Sequence, residues 1–524
     1  DGVNIASRLQ TLAEPDTICI SDMVYRDVAQ KVPLGTVISL GRPKLKNITQ
    51  RFPVYALLPE APKGLRQTLQ IQRLKLSRRV GTARLGRAAL VVMGLLIGGG
   101  IVTLWFPSLS PFRIPQSSFR NQETLPLPDK PSIVVLPFVN MSEDPKREYF
   151  SDGITEDITS DLSKLSSLFV IARNSAFTYK GKAVKVQEVS KELGVRYLLE
   201  GSVRKAGDQV RVTAQLVDGT TGGHLWSERY DRPMKDIFAL QDEIVQQIVA
   251  NLRVEVQEAE RERVRRIPTE NLNAYDFSLR GSEALIRALS ETNKEARAQA
   301  RQMFEKAIEL DPQYAGAYAG LSMTYFLDWF YLWNPTPQVL EQWSEFAHKA
   351  VALDPALPVA HESLAWVYLY KRQHEQAIAA AERAVALDPN RAEGYRTLGL
   401  MLDWAGRSEE AIGLYEKAMR LNPRNRFPYL LNLGISYVWA GQYEKALPLL
   451  KQALPLMPNG LPVHWGLAVC HAELGRKEEA QAEAAEILRI FPQFSVEAWR
   501  PFMPFKDPAM LERELASLRK AGLK

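Results

Sequence analysis

The sequence has little cysteine and little histidine, and neither residue type is arranged for chemistry. Its 524 residues include 2 Cys and 6 His. Cys19 and Cys470 fall on opposite sides of a long apolar stretch, so nothing suggests a disulfide framework or a cysteine metal site. The histidines form no H-E-x-x-H or comparable ligand spacing; they are His224, His348, His361, His374, His464 and His471.

The sequence also lacks a basic folded domain. Its net charge is +6, but residues 63–87 alone contain eight basic side chains and no acidic one, whereas residues 1–62 have seven basic and six acidic side chains. A DNA-binding domain needs a basic surface on a folded part, so we predict no nucleic-acid partner. The remaining composition, 46% hydrophobic and 24% charged, is ordinary for a folded protein of about three domains.

One long hydrophobic run is present, at residues 88–106. It contains no charged side chain, and only Thr103 is polar. As a helix it would reach roughly 28 Å at about 1.5 Å per residue, close to the thickness of a bilayer core. The basic segment 63–87 precedes it, so the positive-inside rule predicts a single-pass inner-membrane protein with a cytoplasmic N-terminal side and a periplasmic C-terminal side. A buried core helix is the alternative, but no polar stripe interrupts the run.

Residues 1–62 show a mixed α and β pattern too small to stand alone. A helical period of apolar residues at 3–14 precedes predicted strands at 17–20, 36–40 and 52–58. The order of motifs resembles the C-terminal part of the class III nucleotide cyclase catalytic domain. The resemblance rests on Asp1-Gly2-Val3-Asn4-Ile5-Ala6-Ser7-Arg8-Leu9, then Leu45-Lys46-Asn47-Ile48, then Val54-Tyr55.

The resemblance implies roles for three residues in this segment. Arg8 would stabilise charge on the α-phosphate in the transition state, Asn4 would hold the ribose, and Lys46 would contact the distal phosphates. Asn4 and Arg8 stand four apart and so share one helical face. A solvated surface is the alternative for a lone basic residue, but three matching positions in order argue against it. The substrate would be ATP or GTP.

The same resemblance implies two divalent cations, Mg²⁺ or Mn²⁺, and a homodimer with shared sites. The aspartates that bind metal in this family would lie upstream of Asp1, so we expect no metal ligand in this chain and no turnover by the chain alone. Because the sequence opens inside a motif, we expect it to be a fragment.

Residues 107–130 are rich in Pro and Ser and indicate a linker. Residues 131–256 alternate strand and helix patterns, with strands predicted at 132–138, 168–172, 196–205, 209–218 and 224–231, and helices at 152–165, 186–193 and 237–254. This α+β segment resembles the TolB-like N-terminal domain. We interpret the acidic residues Asp152, Glu156 and Asp157 as favouring the start of a helix, and not as a catalytic cluster.

Helix-ending prolines recur at a period of 34 in the second half of the chain. The intervals are 43, 34, 34, 35 and 34 residues between Pro312, Pro355, Pro389, Pro423, Pro458 and Pro492. This period predicts tetratricopeptide repeats, about six over residues 271–494, with a terminal helix near 508–520 within a capping segment at 495–524. An aromatic insertion at 326–338 accounts for the longer interval.

Three aromatic residues, Tyr370, Trp404 and Trp439, occupy one repeat position. They either pack the turn within each helix pair or form a stripe that binds an envelope protein or peptide, and the sequence favours neither.

The sequence therefore predicts a multidomain protein. Its parts are an α+β cyclase fragment (1–62), a basic juxtamembrane segment (63–87), a single transmembrane helix (88–106), a linker (107–130), an α+β TolB-like domain (131–256), an all-α repeat solenoid (271–494) and a capping helix (495–524). The predicted function is a membrane-bound nucleotide cyclase with a protein-interaction region. The alternatives are a transmembrane transcription activator and a non-enzymatic envelope interaction protein.

Overall fold

The computed structural model describes residues 18–21, 36–41, 54–58, 125–144 and 147–524. The chain divides into two compact units, residues 1–118 and 119–524. In the first unit, three strands form an antiparallel sheet in the order β1-β3-β2, with β1 at Ile18–Ser21, β2 at Thr36–Gly41 and β3 at Val54–Leu58. These strands lie where the sequence predicts them. Val54, which begins the central strand, is fully buried.

The localisation prediction is corrected by the helices of the structure. Within the described ranges, no helix is both long enough and apolar enough to cross a membrane. The prediction of a single-pass inner-membrane protein is therefore not supported. The run 88–106 and the basic segment 63–87, on which that prediction depended, lie outside the described residues.

The second unit begins with a mixed sheet of six strands, in the order β6-β4-β7-β8-β9 with β5 beside β7. Strands β4, β6 and β7 are parallel to one another, whereas β7, β8 and β9 form an antiparallel meander. The strands are β4 at Ser132–Val135, β5 at Val139–Asn140, β6 at Phe169–Val170, β7 at Tyr197–Ala206, β8 at Gln209–Asp218 and β9 at His224–Pro233.

Both faces of this sheet are covered, as strand β4 shows. Ile133 and Val135 belong to the core cluster shared with helices α1 (Glu148–Ser163) and α4 (Ile237–Leu252). Val134 belongs to a second cluster, shared with α2 (Arg173–Phe177) and α3 (Val186–Leu193). Successive side chains of a strand point to opposite faces, so a continuous apolar run such as β4 can only be satisfied between two layers.

A short helix, α5 (Glu258–Val264), follows the sheet domain and was not predicted from the sequence. It begins with a capping box in which Gln257 and Glu260 satisfy each other's backbone N–H groups. Glu260 also accepts a hydrogen bond from the N–H of Ser166, at 2.9 Å, in the sheet domain. The segment between the two predicted domains is thus part of the folded unit.

Residues 272–490 form six antiparallel helix pairs. The pairs are α6 (Leu272–Glu291) with α7 (Lys294–Leu310), α8 (Ala315–Phe330) with α9 (Pro337–Leu353), α10 (Pro358–Tyr370) with α11 (His374–Leu387), α12 (Ala392–Trp404) with α13 (Ser408–Leu421), α14 (Phe427–Trp439) with α15 (Tyr443–Ala453), and α16 (Leu461–Glu473) with α17 (Lys477–Ile490). The predicted solenoid is confirmed.

Small residues of the repeat motif allow the paired helices to approach each other. A Cβ atom built on Gly399 would lie 2.7 Å from the ring of Tyr415 in the partner helix. Gly434 stands in the same relation to Leu450, at 2.8 Å. The aromatic insertion lengthens the second pair, because α8 and α9 have 16 and 17 residues and the next pair has 13 and 14.

After the last pair, the chain forms one turn of helix, α18 (Val496–Trp499), and a final helix, α19 (Pro508–Lys520). Leu515 and Leu518 of α19 are fully buried in the cluster that includes α16. Residues 500–507 connect the two helices, and we call this connection the strap.

Candidate protein-interaction surfaces

The repeat array has two edges, which the sequence supplies with different side chains. The loops that follow the helix pairs, each of which contains one of the periodic prolines, form what we call the domain edge. The turns within each pair, where the first helix ends, form the turn edge. All of the residues in this comparison belong to the unit 119–524.

The domain edge is bound by the rest of the unit at four successive loops. Each of these loops has Asp or Asn immediately before its proline, and each side chain receives a hydrogen bond or ion pair from a residue upstream of the repeats. The pairs are Thr269 with Asp311, Arg266 with Asp354, Ser163 with Asp388, and Ser175 with Asn422.

The third of these loops makes the densest contact with the sheet domain. The side-chain amide of Asn390 donates to the carbonyl oxygens of Ser163 at 2.9 Å and Leu165 at 3.0 Å. Its oxygen accepts the N–H of Val170 at 3.4 Å. Asn390 is only 3% exposed, so one side chain satisfies three buried backbone groups at the end of α1 and in β6.

The last two loops of the domain edge differ in sequence and in contact. They have Met457 and Phe491 in the position that Asp or Asn occupies earlier. Met457 is 45% exposed, and Phe491 packs against Trp499 at 6.0 Å between ring centroids. Asn459, which follows Pro458 as Asn390 follows Pro389, accepts a hydrogen bond from Arg489. The change from Asp or Asn to an apolar residue therefore marks where docking ends.

The acidic residues of α1 have structural partners, and the prediction that they favour a helix start is wrong. Helix α1 begins at Glu148, which places them in its interior. Asp152 pairs with Lys180 at 2.6 Å, and Glu156 pairs with Arg173 at 3.2 Å. A catalytic cluster is not needed to explain them.

Asp157, the third acidic residue of α1, joins the sheet domain to the first repeat. Its Oδ2 accepts hydrogen bonds from Gln241 Nε2 at 2.9 Å and from the hydroxyl of Tyr275, which lies in α6. Burial raises the pKa of Asp157 to about 7, against the effect of both donors. The carboxyl group of Asp157 therefore gains or loses its proton near neutral pH, at the contact between the sheet domain and the first repeat.

The three predicted aromatic residues, which we call the aromatic ladder, lie on the turn edge. Tyr370, Trp404 and Trp439 are the C-terminal residues of α10, α12 and α14. The structure adds a fourth member, Phe330, which ends α8 and is 47% exposed. The aromatic insertion at 326–338 in the second pair moves Phe330 off the 34-residue period, so the period alone does not predict it as a member of this set. Tyr370 packs against Trp329 at 5.6 Å and Trp366 at 6.3 Å between ring centroids.

Trp404 and Trp439 are both covered by the strap. Their ring centroids lie 4.7 Å apart, and Phe505 contacts them edge-on at 4.7 and 5.0 Å. Met503 and Phe505 are 4% and 6% exposed. All three predicted residues contact aromatic rings of this chain, and the strap occupies the surface at two of them; the binding stripe stays a prediction.

Polar contacts also hold the strap. Arg372, in the turn after α10, donates to the carbonyl oxygens of Met503 at 2.6 Å and Pro501 at 3.1 Å. The N–H of Lys506 donates to the carbonyl oxygen of Trp404 at 2.9 Å, and its ammonium group pairs with Glu375. Most of these contacts are made to the strap backbone.

The predicted catalytic residues Asn4 and Arg8 and the predicted substrate-binding residue Lys46 lie outside the described residues. No group of three His, Cys, Asp or Glu side chains in the described part of the chain is placed to hold a metal ion. Cys470 is buried, and burial raises the pKa of its thiol to about 12.

Comparison with known families confirms the repeats. Two tetratricopeptide-repeat models match the chain, at residues 363–426 and 437–500. A protein of Rhizobium meliloti (strain 1021), named "Putative adenylate cyclase 3", is 39% identical over 378 residues, which is 72% of this chain and 55% of that protein. The chain thus spans about half the length of this curated relative.

Solved structures with local similarity include several repeat arrays. PilW, a type IV pilus biogenesis factor, is 20% identical, with 40% of this chain and 88% of that chain covered and a TM-score of 0.32. YrrB, described as a TPR protein with an unusual peptide-binding site, is 20% identical, with coverage of 36% and 93% and a TM-score of 0.27. A tetratricopeptide repeat protein from Parabacteroides merdae is 16% identical, with coverage of 46% and 91% and a TM-score of 0.31. No functional inference follows from similarities this low.

Proposed function

We propose that residues 119–524 form a protein-binding scaffold, with a docked α+β domain, that serves a nucleotide cyclase. The observation that carries the scaffold proposal is the array of six helix pairs. Each pair of such an array contacts only its neighbours, so the array presents an extended surface to other proteins. The docked domain and the segment that follows it bind the first four loops of the domain edge and leave the aromatic turn edge uncovered by either.

The cyclase half of the proposal is supported by two observations. The relative that is 39% identical is named "Putative adenylate cyclase 3". The motif around Asn4 and Arg8 and the Leu45–Ile48 segment resemble the class III cyclase domain. We therefore propose that the natural protein converts ATP, or GTP, to its 3′,5′-cyclic monophosphate and pyrophosphate, and that it acts as a dimer.

In this proposal three residues of the chain contact the substrate. The permanently charged guanidinium of Arg8 stabilises negative charge as it shifts on the α-phosphate. Asn4 orients the ribose whose 3′-hydroxyl attacks, and Lys46 binds the distal phosphates before and during the reaction. Divalent cations would neutralise the triphosphate, but their ligands are expected upstream of Asp1.

Cyclic nucleotide production by the natural full-length protein tests the cyclase proposal. Arg8→Ala should lower kcat by roughly 10²- to 10³-fold with a smaller change in KM, because it removes a charge that acts mainly in the transition state. Lys46→Ala should raise KM at least as much as it lowers kcat. The matched control is Arg26→Ala, a basic residue of the same segment outside the motif, which should be neutral.

Two results would separate the alternatives. If the full-length protein makes no cyclic nucleotide, or if Arg8→Ala behaves like Arg26→Ala, the cyclase proposal fails and a non-enzymatic scaffold remains. Since the family builds each site from two subunits, an Arg8→Ala chain mixed with a chain that lacks the metal-binding aspartates should recover activity. Mixtures that associate without activity would exclude the shared site.

The scaffold proposal has a separate test in a photo-crosslinking residue placed at Phe330. This position is exposed on the turn edge, so a bound protein should be joined to it in cells that express the full-length chain. The control position is Thr220, exposed in the loop between β8 and β9 of the sheet domain. A discrete adduct at 330 but not at 220 is expected. Equal labelling at both positions, or none, would contradict the proposal.

A further inference from the structure

The strap does not cover the end of the repeat array, as a capping element would. A cap must cover the apolar face of the last helix pair, and α19 does so with Leu515 and Leu518. The strap instead runs back along the turn edge. It contacts Trp439 in the fifth pair, Trp404 in the fourth and Arg372 in the third.

The array holds the strap largely through backbone contacts, as many binding proteins hold peptides. Arg372 binds two strap carbonyl oxygens, and the carbonyl oxygen of Trp404 accepts a strap N–H group. Contacts of this kind recognise backbone, whereas the pocket between Trp404 and Trp439 selects an aromatic side chain. Residues 500–502 of the strap form one turn of 3-10 helix, and Pro501 and Pro504 each fix a backbone φ angle, which lowers the entropy lost when the strap is seated.

The backbone of Arg372 adopts a conformation that is uncommon for a residue other than glycine. It adopts a left-handed conformation with φ of 61°, at the turn position where the last three pairs have glycine. The glycines are Gly406, Gly441 and Gly475, with φ of 84°, 73° and 73°. A non-glycine residue is disfavoured there, and strain of this kind is typical of functional positions. Leu332 occupies the same position in the second pair, with φ of 54°.

We propose that the groove formed by Arg372, Trp404 and Trp439 is a peptide-docking site, and that the strap is a built-in, displaceable occupant of it. The partner is a protein with an extended segment in which Phe is followed by Lys or Arg, because the seated strap supplies Phe505 to the two tryptophans and Lys506 to Glu375. This inference rests on the proposed scaffold function and adds which kind of segment the turn edge binds.

The first test uses the chain's own segment as the probe. A capped peptide of residues 500–507 should bind the Phe505→Ala protein, in which the strap is weakened, at least 10-fold more tightly than it binds the unchanged protein. The same peptide with Phe505→Ala should bind at least 10-fold more weakly. Isothermal titration measures both affinities, and circular dichroism confirms that the repeats stay folded.

Several results of that test would overturn the proposal. Equal binding of the two peptides, or no binding to a folded Phe505→Ala protein, would mean that the groove does not recognise this segment. Failure of the Phe505→Ala protein to fold would mean that the strap is part of the core and not displaceable. A dimer that forms in the unchanged protein at high concentration and is lost on strap mutation would make a second copy of the chain the occupant.

The second test separates recognition from stability at one residue. Arg372→Gly removes the strain at φ of 61° and the contacts to the strap carbonyls together. Thermal stability should therefore be unchanged or higher, while the amide of Lys506 should exchange with solvent at least 10-fold faster. Leu332→Gly makes the same backbone change where no strap lies, so it should leave Lys506 unchanged. Slow exchange of Lys506 in Arg372→Gly would overturn the role of Arg372.

The failure of this inference is distinguishable from failure of the scaffold function. Crosslinking at Phe330 reports binding anywhere along the turn edge and does not require the strap to move. If crosslinking succeeds and both peptide and exchange tests fail, the array binds its partners elsewhere.

Discussion

The two edges of the repeat array are built from the same helices but bind the rest of the chain in different ways. At the first four loops of the domain edge, the Asp or Asn before the proline bonds to the sheet domain or the segment after it, and Asn390 alone bonds to three backbone groups. At the turn edge, aromatic rings are covered by a short strap held mainly through its backbone. Buried polar contacts fix a unique arrangement, whereas we propose that a strap held through its backbone can be replaced by a segment of another protein.

The largest expected effect is at the domain edge. Asn390→Ala leaves the carbonyl oxygen of Ser163 and the N–H group of Val170 without the side chain that binds them, and it removes one of two donors to Leu165, so the unfolding free energy should fall by about 2–4 kcal/mol. Asn459→Ala is the matched control, because Asn459 follows the proline of a loop beyond the docked domain and should change stability by less than about 0.5 kcal/mol. Denaturant melts of both variants measure the difference. Equal effects would mean that the domain edge is not a special contact.

The unfolding free energy should depend on pH, an effect of intermediate size that comes from two buried carboxyl groups. Burial raises the pKa of Asp157, at the domain junction, and of Asp403, beneath the ladder, to about 7. Between about pH 4 and pH 7 the folded protein therefore binds more protons than the unfolded chain, so the unfolding free energy should fall as pH rises through this window and change little above it.

Asparagine variants test this pH effect. In each case Oδ2 accepts both hydrogen bonds, for Asp403 from Tyr415 at 2.7 Å and Ser436 at 2.6 Å, so an amide oxygen can accept the same pair. Asp157→Asn and Asp403→Asn should each reduce the slope between pH 4 and pH 7 and stabilise the protein above pH 7 by on the order of 1 kcal/mol. Melts at pH 5 and pH 8 measure the change. An unchanged slope in both variants would show that neither carboxyl group is the source.

The smallest effect is expected at the strap. A buried Phe→Ala change in a core lowers the unfolding free energy by about 3–5 kcal/mol. Phe304→Ala, in the core of the first pair, should fall in that range, since Phe304 is 1% exposed. Phe505→Ala should lower it by only about 1 kcal/mol, although Phe505 is 6% exposed, because a strap that opens locally limits the loss. Similar losses for both variants would make the strap part of the core.

The repeats could be predicted because their determinants are local and periodic. Prolines at a 34-residue spacing, together with small residues such as Gly399, define the helix pairs before any tertiary contact is considered. The strands and helices of the sheet domain could also be predicted, because apolar strands such as β4 alternate with amphipathic helices. Helix α5 was missed because its short charged sequence has no apolar period; only its Gln257–Glu260 capping box marks it.

The contacts between elements could not be read from sequence. Asp157 was visible as an acidic residue, but its partners Gln241 and Tyr275 are 84 and 118 residues away along the chain. The ladder was predicted at three positions, yet its covering by Phe505 depends on how the strap runs back over the array. The Asp and Asn residues before the prolines carried a signal, since their replacement by Met457 and Phe491 marks the end of the docked edge.

Two amides of similar geometry provide the most direct test of the difference between the edges. The N–H of Ala172 donates to Leu421 across the domain edge, and the N–H of Lys506 donates to Trp404 across the turn edge, both at 2.9 Å. Native-state hydrogen exchange as a function of denaturant measures the opening of each. We expect Ala172 to exchange only through global unfolding, and Lys506 to exchange at least 100-fold faster through local opening of the strap. Exchange of both amides through the same global unfolding would contradict this expectation.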